Sequence, residues 1–183
     1  MTLAEIICLS RALFQKSSQL HVGRWDKSSK NSREVRGRTL GIIGYGHIGS
    51  QLSVLAESLG MRVVFFDTAR KLALGNAHSL ANMDAVLAAS DFVSLHVPDM
   101  ASTRNLIGAA QLQNMKPGAM LVNNSRAHLP YLFLHYLVQR MSTLVKSLDC
   151  RMALSQMNLD KIQFISEPMA HKKAVMVHVC HFL

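Results

Sequence analysis

TLGIIGYGHIGSQLSVLAESLGMRVVFFD, running from Thr39 to Asp67, is the stretch that decides the fold. A short apolar run, Leu40 to Ile43, breaks into Gly44-x-Gly46-x-x-Gly49. An apolar-periodic segment follows through Leu52, Leu55 and Leu59. Gly60 then opens a second apolar run that ends on Asp67. The order is strand, glycine turn, helix, strand and acid, which is the fingerprint of a dinucleotide site. Gly44 permits the tight turn, Gly46 lets the backbone approach a diphosphate, and Gly49 lets the helix pack close to the sheet. Amides at the helix start face the ligand with the positive end of the helix dipole behind them. Asp67 stands where a carboxylate accepts hydrogen bonds from an adenosine ribose and repels a 2′-phosphate, so NAD is expected over NADP. Arg70 is the competing feature, a conceivable 2′-phosphate ligand, and reads instead as a solvated loop charge. A glycine-rich turn that merely packs a helix on a strand would explain the glycines, but not the acid.

Beyond Asp67 the pattern continues as strand and helix in alternation. Met83 to Ala89 predicts a short helix, and Phe92 to Val97 a strand buried on both faces. Ala109 to Met115 predicts a helix stopped by Lys116-Pro117-Gly118, with Gly118 in a left-handed turn. Met120 to Val122 predicts the next strand. Parallel strands joined by helical crossovers make an α/β, doubly wound parallel sheet of the Rossmann type, incomplete at this length. Ligands on such sheets lie beyond the carboxyl ends of the strands. Gly46-His47, Asp67, His96 to Pro98 and Asn124 to Arg126 all fall at those ends, and four separate segments converge on one edge.

The segments GIIGYGHIGSQLSVLAESLGM, SDFVSLHVP (Ser90 to Pro98) and MKPGAMLVNNSR (Met115 to Arg126) resemble the D-isomer-specific 2-hydroxyacid dehydrogenases. The likeness covers about Ala4 to Arg126. Tyr45 to Gly49, with Leu74-Gly75-Asn76-Ala77, narrows it to members whose substrate is phosphorylated. The resemblance implies NAD as cofactor and a small 2-hydroxy or 2-oxo acid as substrate. It places His47 and Ile48 at the pyrophosphate, the former through its main-chain amide, and Val97 and Pro98 beside the adenine. The Asn-x-Ser-Arg segment would lie beneath the nicotinamide, with Asn124 and Ser125 against the cofactor and Arg126 as the catalytic arginine. A guanidinium there grips a carboxylate in a bidentate fork and polarises the carbonyl that accepts hydride. Asn124 stands where the family has alanine. The family's proton donor is a histidine paired with a glutamate, both downstream of the arginine. Here the downstream chain departs: Ala127-His128-Leu129-Pro130 replaces the family's continuation, and no glycine follows Gly118. Glu167-Pro168 echoes the family only faintly, and His171, His178 and His181 read as ordinary imidazoles.

The flanks are less specific. Thr2 and Glu5 form a T-x-x-E capping box ahead of Ile6, Ile7, Leu9, Leu13 and Phe14, predicting one helix of about four turns. In the family a helix here connects two domains and lies near a dimer contact, so a homo- or hetero-oligomer through it is an expectation. His21 to Arg38 is polar and basic and reads as a solvated connector rather than a nucleic-acid surface, since Trp25 alone interrupts it. Trp25 falls on a family tryptophan and is expected to be a packing anchor. The net charge of +9 suits an anionic cofactor and a phosphorylated substrate. Three cysteines without metal-ligand spacing read as reduced thiols of a cytoplasmic protein, with no metal site and no membrane span.

The chain thus divides into a connecting helix and basic linker at 1–38, an NAD-binding domain at 39–126, and a divergent, mostly helical tail at 127–183. Leu129 to Leu148 supplies the helical pattern, with Pro130 in its first turn. The abrupt loss of resemblance reads as a tail of separate origin: an intron, a shifted frame or a rearranged gene end. Three functional readings stay open. One is a dehydrogenase that keeps its cofactor but has crippled turnover. Another is a non-catalytic NAD(H)-responsive module that pairs with full-length subunits. The third is a fragment without a stable fold.

Overall fold

The computed structural model describes residues 1–30 and 32–125, together with the backbone of 176–179. Arg126, the helix predicted at Leu129–Leu148, Glu167-Pro168, His171 and His181 lie outside the described residues.

The two apolar runs around the glycine turn become adjacent parallel strands, β1 (Thr39–Ile43) and β2 (Arg62–Phe66), joined by α3 (His47–Ser58). The right-handed crossover that such a connection takes lays the helix on one face. The chain continues through β3 (Ala77–Ser79), α4 (Met83–Ala89), β4 (Phe92–Leu95), α5 (Ala109–Asn114) and β5 (Met120–Asn123). A last strand, β6 (Met176–Val179), pairs with β5. All pairings are parallel and the order is β3-β2-β1-β4-β5-β6, the doubly wound arrangement. The sequence reading placed no strand in 127–183, so β6 is an addition to it.

Alternation along the strands builds two cores. Leu40, Ile42, Phe65, Phe92 and Val122 pack with Leu52 and Ala56 of α3 and with Ile6 and Leu9 of the N-terminal helix. Ile43, Val93, Leu95 and Leu121 pack on the opposite face with Val86 and Leu87 of α4 and Leu112 of α5. This period of two is what a sheet covered on both faces requires.

The N-terminal segment departs from the predicted single helix. It forms α1 (Thr2–Ser10) and α2 (Leu13–His21), separated at Ala12, which has φ 50. The cause is a contact distant in sequence: the Ser10 carbonyl accepts the Arg33 amide at 2.7 Å, so the linker takes an acceptor that a continuous helix would use. Ile6 and Leu9 are buried, each contributing roughly 1.5–3 kcal/mol, so α1 docks on the sheet. In α2 no residue is buried, and Leu13 and Leu20 are 51% and 60% exposed.

The Thr2–Glu5 capping box is also corrected. Met1 occupies the cap position without a side-chain bond, and Thr2 and Glu5 turn inward to accept hydrogen bonds from the Asn124 amide at 2.8 and 2.7 Å. Both are buried, and a carboxylate taken out of water needs donors more than a helix end needs a cap. Trp25 is not a packing anchor: it is 75% exposed, with the Lys27 ammonium 4.5 Å from its ring centroid. The basic linker is anchored along the amino edge of the sheet. The Gly37 amide donates to the Gly60 carbonyl at 2.8 Å, and the Arg33 guanidinium donates to the Gly118 carbonyl at 3.1 Å. Among the described residues no helix is long and apolar enough to cross a membrane.

Candidate dinucleotide site

At the carboxyl edge, β1 leaves the sheet at Gly44, whose φ is +92. A side chain there would place its Cβ 2.5 Å from the His96 carbonyl oxygen, so the position requires glycine twice over. Backbone bonds hold the exit: the Gly44 amide donates to the Phe66 carbonyl at 2.9 Å, and the His96 amide to the Ile43 carbonyl at 2.8 Å. Gly49, in the first turn of α3, is fixed by packing, because a Cβ would stand 2.4 Å from the Gly44 carbonyl oxygen.

Gly46 is different. Its φ is −82, ordinary for any residue, and among the described residues no atom beyond its chain neighbours lies within 4 Å of where its Cβ would be. Nothing among the described residues asks for glycine there. It is the N-cap of α3, and Gly46, His47 and Ile48 are all exposed. The amides of the first helical turn have no intrahelical acceptor and carry the positive end of a twelve-residue helix. The side chains of His47 and Ile48 point to solvent, so what this corner offers a ligand is main-chain N–H groups and open space above Gly46.

Asp67 lies directly after β2. One carboxylate oxygen accepts the Tyr45 amide at 2.8 Å and the other the Ala69 amide at 2.9 Å. Each oxygen keeps a lone pair for a further donor. Arg70 is exposed on the following loop. Val97 reaches the same corner, with its Cγ1 3.1 Å from a Cβ built on Gly44. Pro98 is exposed, and its carbonyl accepts the Thr103 hydroxyl at 2.5 Å.

At the end of β5 the buried Asn123 side chain accepts both the amide and the hydroxyl of Ser125, at 3.1 and 2.7 Å, and so fixes the strand's exit. Asn124 is turned toward α1 through Thr2 and Glu5. Gly44, Asp67 and Val97 therefore gather around one turn, Asp67 through the Tyr45 amide and Val97 beside Gly44, whereas Asn124 and Ser125 lie two strands away, beyond β4, and are held by other partners.

The sequence reading places His96 at this edge and Tyr45 in the motif without giving either a role, and it passes over Ser53, Ser94 and Asn123 as site-building residues. The available signal was a polar residue within an apolar run, as in Phe92-Val93-Ser94-Leu95-His96. The Ser94 hydroxyl is paired with His96 Nε2 at 2.8 Å. Burial lowers the His96 pKa from 6.5 to about 4, because the charged ring would be desolvated. With the folded value below the unfolded one, stability is complete above about pH 6.5 and is lost as pH falls through about 4. The loss at the end of that window is about 3 kcal/mol. Urea unfolding at pH 7 and pH 4 is expected to show this extra drop in the wild-type chain and not in His96→Gln. Equal drops in the two proteins would remove His96 as the cause.

The chain matches the family described as D-isomer specific 2-hydroxyacid dehydrogenase, NAD binding domain, over residues 3–130. It is 51% identical over 126 residues to the D-3-phosphoglycerate dehydrogenase of Haemophilus influenzae, a match covering 69% of this chain and 31% of that protein. The enzyme of the same name from Dictyostelium discoideum is 52% identical over the same shares. The chain thus spans about a third of the length of these relatives. Among solved structures, the NAD-complexed D-isomer specific 2-hydroxyacid dehydrogenase of Lactobacillus delbrueckii ssp. bulgaricus superposes with a TM-score of 0.68. Its identity is 32%, over 76% of this chain and 43% of that one. D-lactate dehydrogenase with NAD+ from Lactobacillus jensenii gives 0.66 at 28% identity, over 75% and 42%.

Proposed function

This chain belongs to the D-isomer specific 2-hydroxyacid dehydrogenases and carries their NAD-binding domain, and from that premise we propose a residue-level reading of its site. Its cofactor is NAD, and the family acts on small 2-hydroxy acids. The diphosphate takes the amides of Gly46, His47 and Ile48, with Gly44 and Gly49 shaping the turn. Asp67 takes the adenosine ribose through its remaining lone pairs. Val97 and Pro98 line the adenine side, and Asn124 and Ser125 the nicotinamide side. Arg126 grips the carboxylate of the 2-oxo acid. The observation that carries the reading is Gly46, a glycine with ordinary torsions and empty space beside it, opposite a carboxylate. A ligand's close approach accounts for that glycine, and a protein contact does not.

We divide the chain into the connector 1–38, the cofactor unit 39–126 and the tail 127–183, with α1 docked onto the cofactor unit through Ile6 and Leu9. The substrate we favour is the phosphorylated pair 3-phosphoglycerate and 3-phosphohydroxypyruvate of serine synthesis, since the relatives at about half identity are named D-3-phosphoglycerate dehydrogenase. Bound NAD would supply the hydride acceptor. For this chain alone we expect impaired turnover, because among the residues whose side chains are described the imidazoles at this edge are His47, which faces solvent, and His96, which is held neutral against Ser94. Calorimetric titration of the 183-residue chain is expected to give saturable NADH binding, with NADPH at least about tenfold weaker. A chain that leaves NADH unbound, or that prefers NADPH, would overturn the reading.

A further inference from the structure

Between Gly44 and Gly46 stands Tyr45, and its side chain faces into the protein with 2% of its surface exposed. Its two neighbours have no side chains, so beyond the backbone bonds that hold the strand exit, Tyr45 supplies the side-chain contacts that fix this turn. There are three. The Tyr45 amide donates to Asp67 at 2.8 Å. The ring stacks on Phe65 of β2, with centroids 3.7 Å apart and planes 15° apart. The hydroxyl lies 2.6 Å from Ser53 Oγ on α3 and accepts the Leu74 amide at 3.3 Å.

Proton counting gives the hydroxyl contacts a direction. Ser53 has one hydroxyl proton, and it goes to the Ser50 carbonyl at 2.7 Å. Tyr45 must then donate to Ser53. The result is a one-way chain, from the Leu74 N–H to Tyr45, to Ser53, to the backbone of α3's first turns, with every member satisfied. It joins the glycine turn to the helix whose amides face the ligand, and to the Leu74–Ala77 segment, which leads to the amino end of β2, where Asn76 donates to the Met61 carbonyl. Gly75 belongs to that junction: its φ is +57, and a Cβ there would collide with the Glu57 carboxylate.

We infer that Tyr45 is a positioning residue for the diphosphate-binding amides, an inference that rests on the NAD reading above. It touches no ligand. It holds Gly46 and His47 in the binding conformation before the ligand arrives, so that ordering the turn does not subtract from affinity.

The test is Tyr45→Phe, which keeps the stacked ring and removes only the hydroxyl. NADH and ADP are each expected to bind about tenfold more weakly, equivalent to 1.4 kcal/mol. Adenosine, which lacks the diphosphate, is expected to bind within twofold of wild type. Ser53→Ala cuts the same chain from the other side and is expected to reproduce the pattern. Leu112→Ala, in the core under the opposite face of the sheet, is expected to lower the thermal midpoint without changing any of the three affinities at a temperature where it is folded. Wild-type affinity for NADH and ADP in Tyr45→Phe would overturn the inference while leaving the NAD reading intact. An equal loss for adenosine would also overturn it, since the effect would then not be confined to the diphosphate. A wild-type chain that binds no NADH removes the NAD reading, and the inference falls with it.

Discussion

Gly46→Ala is expected to weaken NADH binding at least about a hundredfold while leaving the fold in place, and Gly44→Ala to remove a large share of the protein's stability. The same methyl group is added two residues apart, and the surroundings decide the outcome. At Gly44 the φ of +92 costs an L-residue about 1–2 kcal/mol before any contact is counted. The new Cβ would then lie 2.5 Å from the His96 carbonyl oxygen and 2.8 Å from its carbon. Neither backbone can give, because each is tied to its neighbour strand by a short amide bond. A total above about 4 kcal/mol is expected, a large share of the roughly 5–15 kcal/mol that holds an ordinary domain together. At Gly46 the methyl enters empty space at an unstrained φ of −82. The remaining cost is that of alanine at a helix N-cap, about 1 kcal/mol or less. The methyl does, however, occupy the approach to the helix amides, and NADH affinity is expected to fall by at least about a hundredfold, or 2.8 kcal/mol. Thermal melts with calorimetric titration of both variants separate the two effects. A Gly46→Ala protein that binds NADH within threefold of wild type would mean that the open space beside Gly46 belongs to no diphosphate.

This contrast also marks what the sequence could disclose. Gly44 as a tight turn, Gly49 as a close helix contact and Asp67 as the acid that follows β2 were legible because backbone geometry sets them at fixed spacing, and the same is true of the apolar runs that became β1, β2, β4 and β5. Met83–Ala89 was legible to the residue, Asn82 supplying its cap through the Ala85 amide. The break between α1 and α2 was not, because it depends on the Arg33 amide reaching Ser10 from more than twenty residues away. The T-x-x-E pattern misled for the same reason. Thr2 and Glu5 have the residue types of a cap, but a third polar side chain, Asn124, arrives from β5 and claims both. Trp25 was placed in a core by resemblance, and the surface it would need is not presented to it by the described residues. Tyr45 was recognised as part of a motif without a reason; the reason lies in Ser53, Phe65 and Leu74, which no local pattern connects.

Asp67→Ala is expected to lose NADH without gaining NADPH. Specificity logic applied to the sequence alone gives the opposite answer, since removing the acid removes the charge that repels a 2′-phosphate. The structure adds a second task. Asp67 is the acceptor for the Tyr45 amide at 2.8 Å and for the Ala69 amide at 2.9 Å, so the same carboxylate that would read the ribose also closes the glycine turn. Bonds from backbone amides to a charged acceptor contribute about 1.5–3 kcal/mol, and losing the one to Tyr45 frees the residue that positions the turn. Arg70 does not substitute, because it is exposed on the loop beyond. NADH affinity is therefore expected to fall by more than about a hundredfold, with NADPH affinity improving less than about threefold and stability falling by about 2 kcal/mol. Asp67→Asn keeps one acceptor oxygen while discarding the charge. It is expected to recover about half of the lost stability and little of the lost NADH affinity, because a carboxamide presents only one acceptor where the ribose and two amides need several. Paired NADH and NADPH titrations with urea unfolding of the three proteins measure all of this. If Asp67→Ala bound NADPH as tightly as the wild type binds NADH, with an unchanged unfolding midpoint, the carboxylate would be a specificity element alone, and the turn would owe its shape to the tyrosine side chain and the glycines.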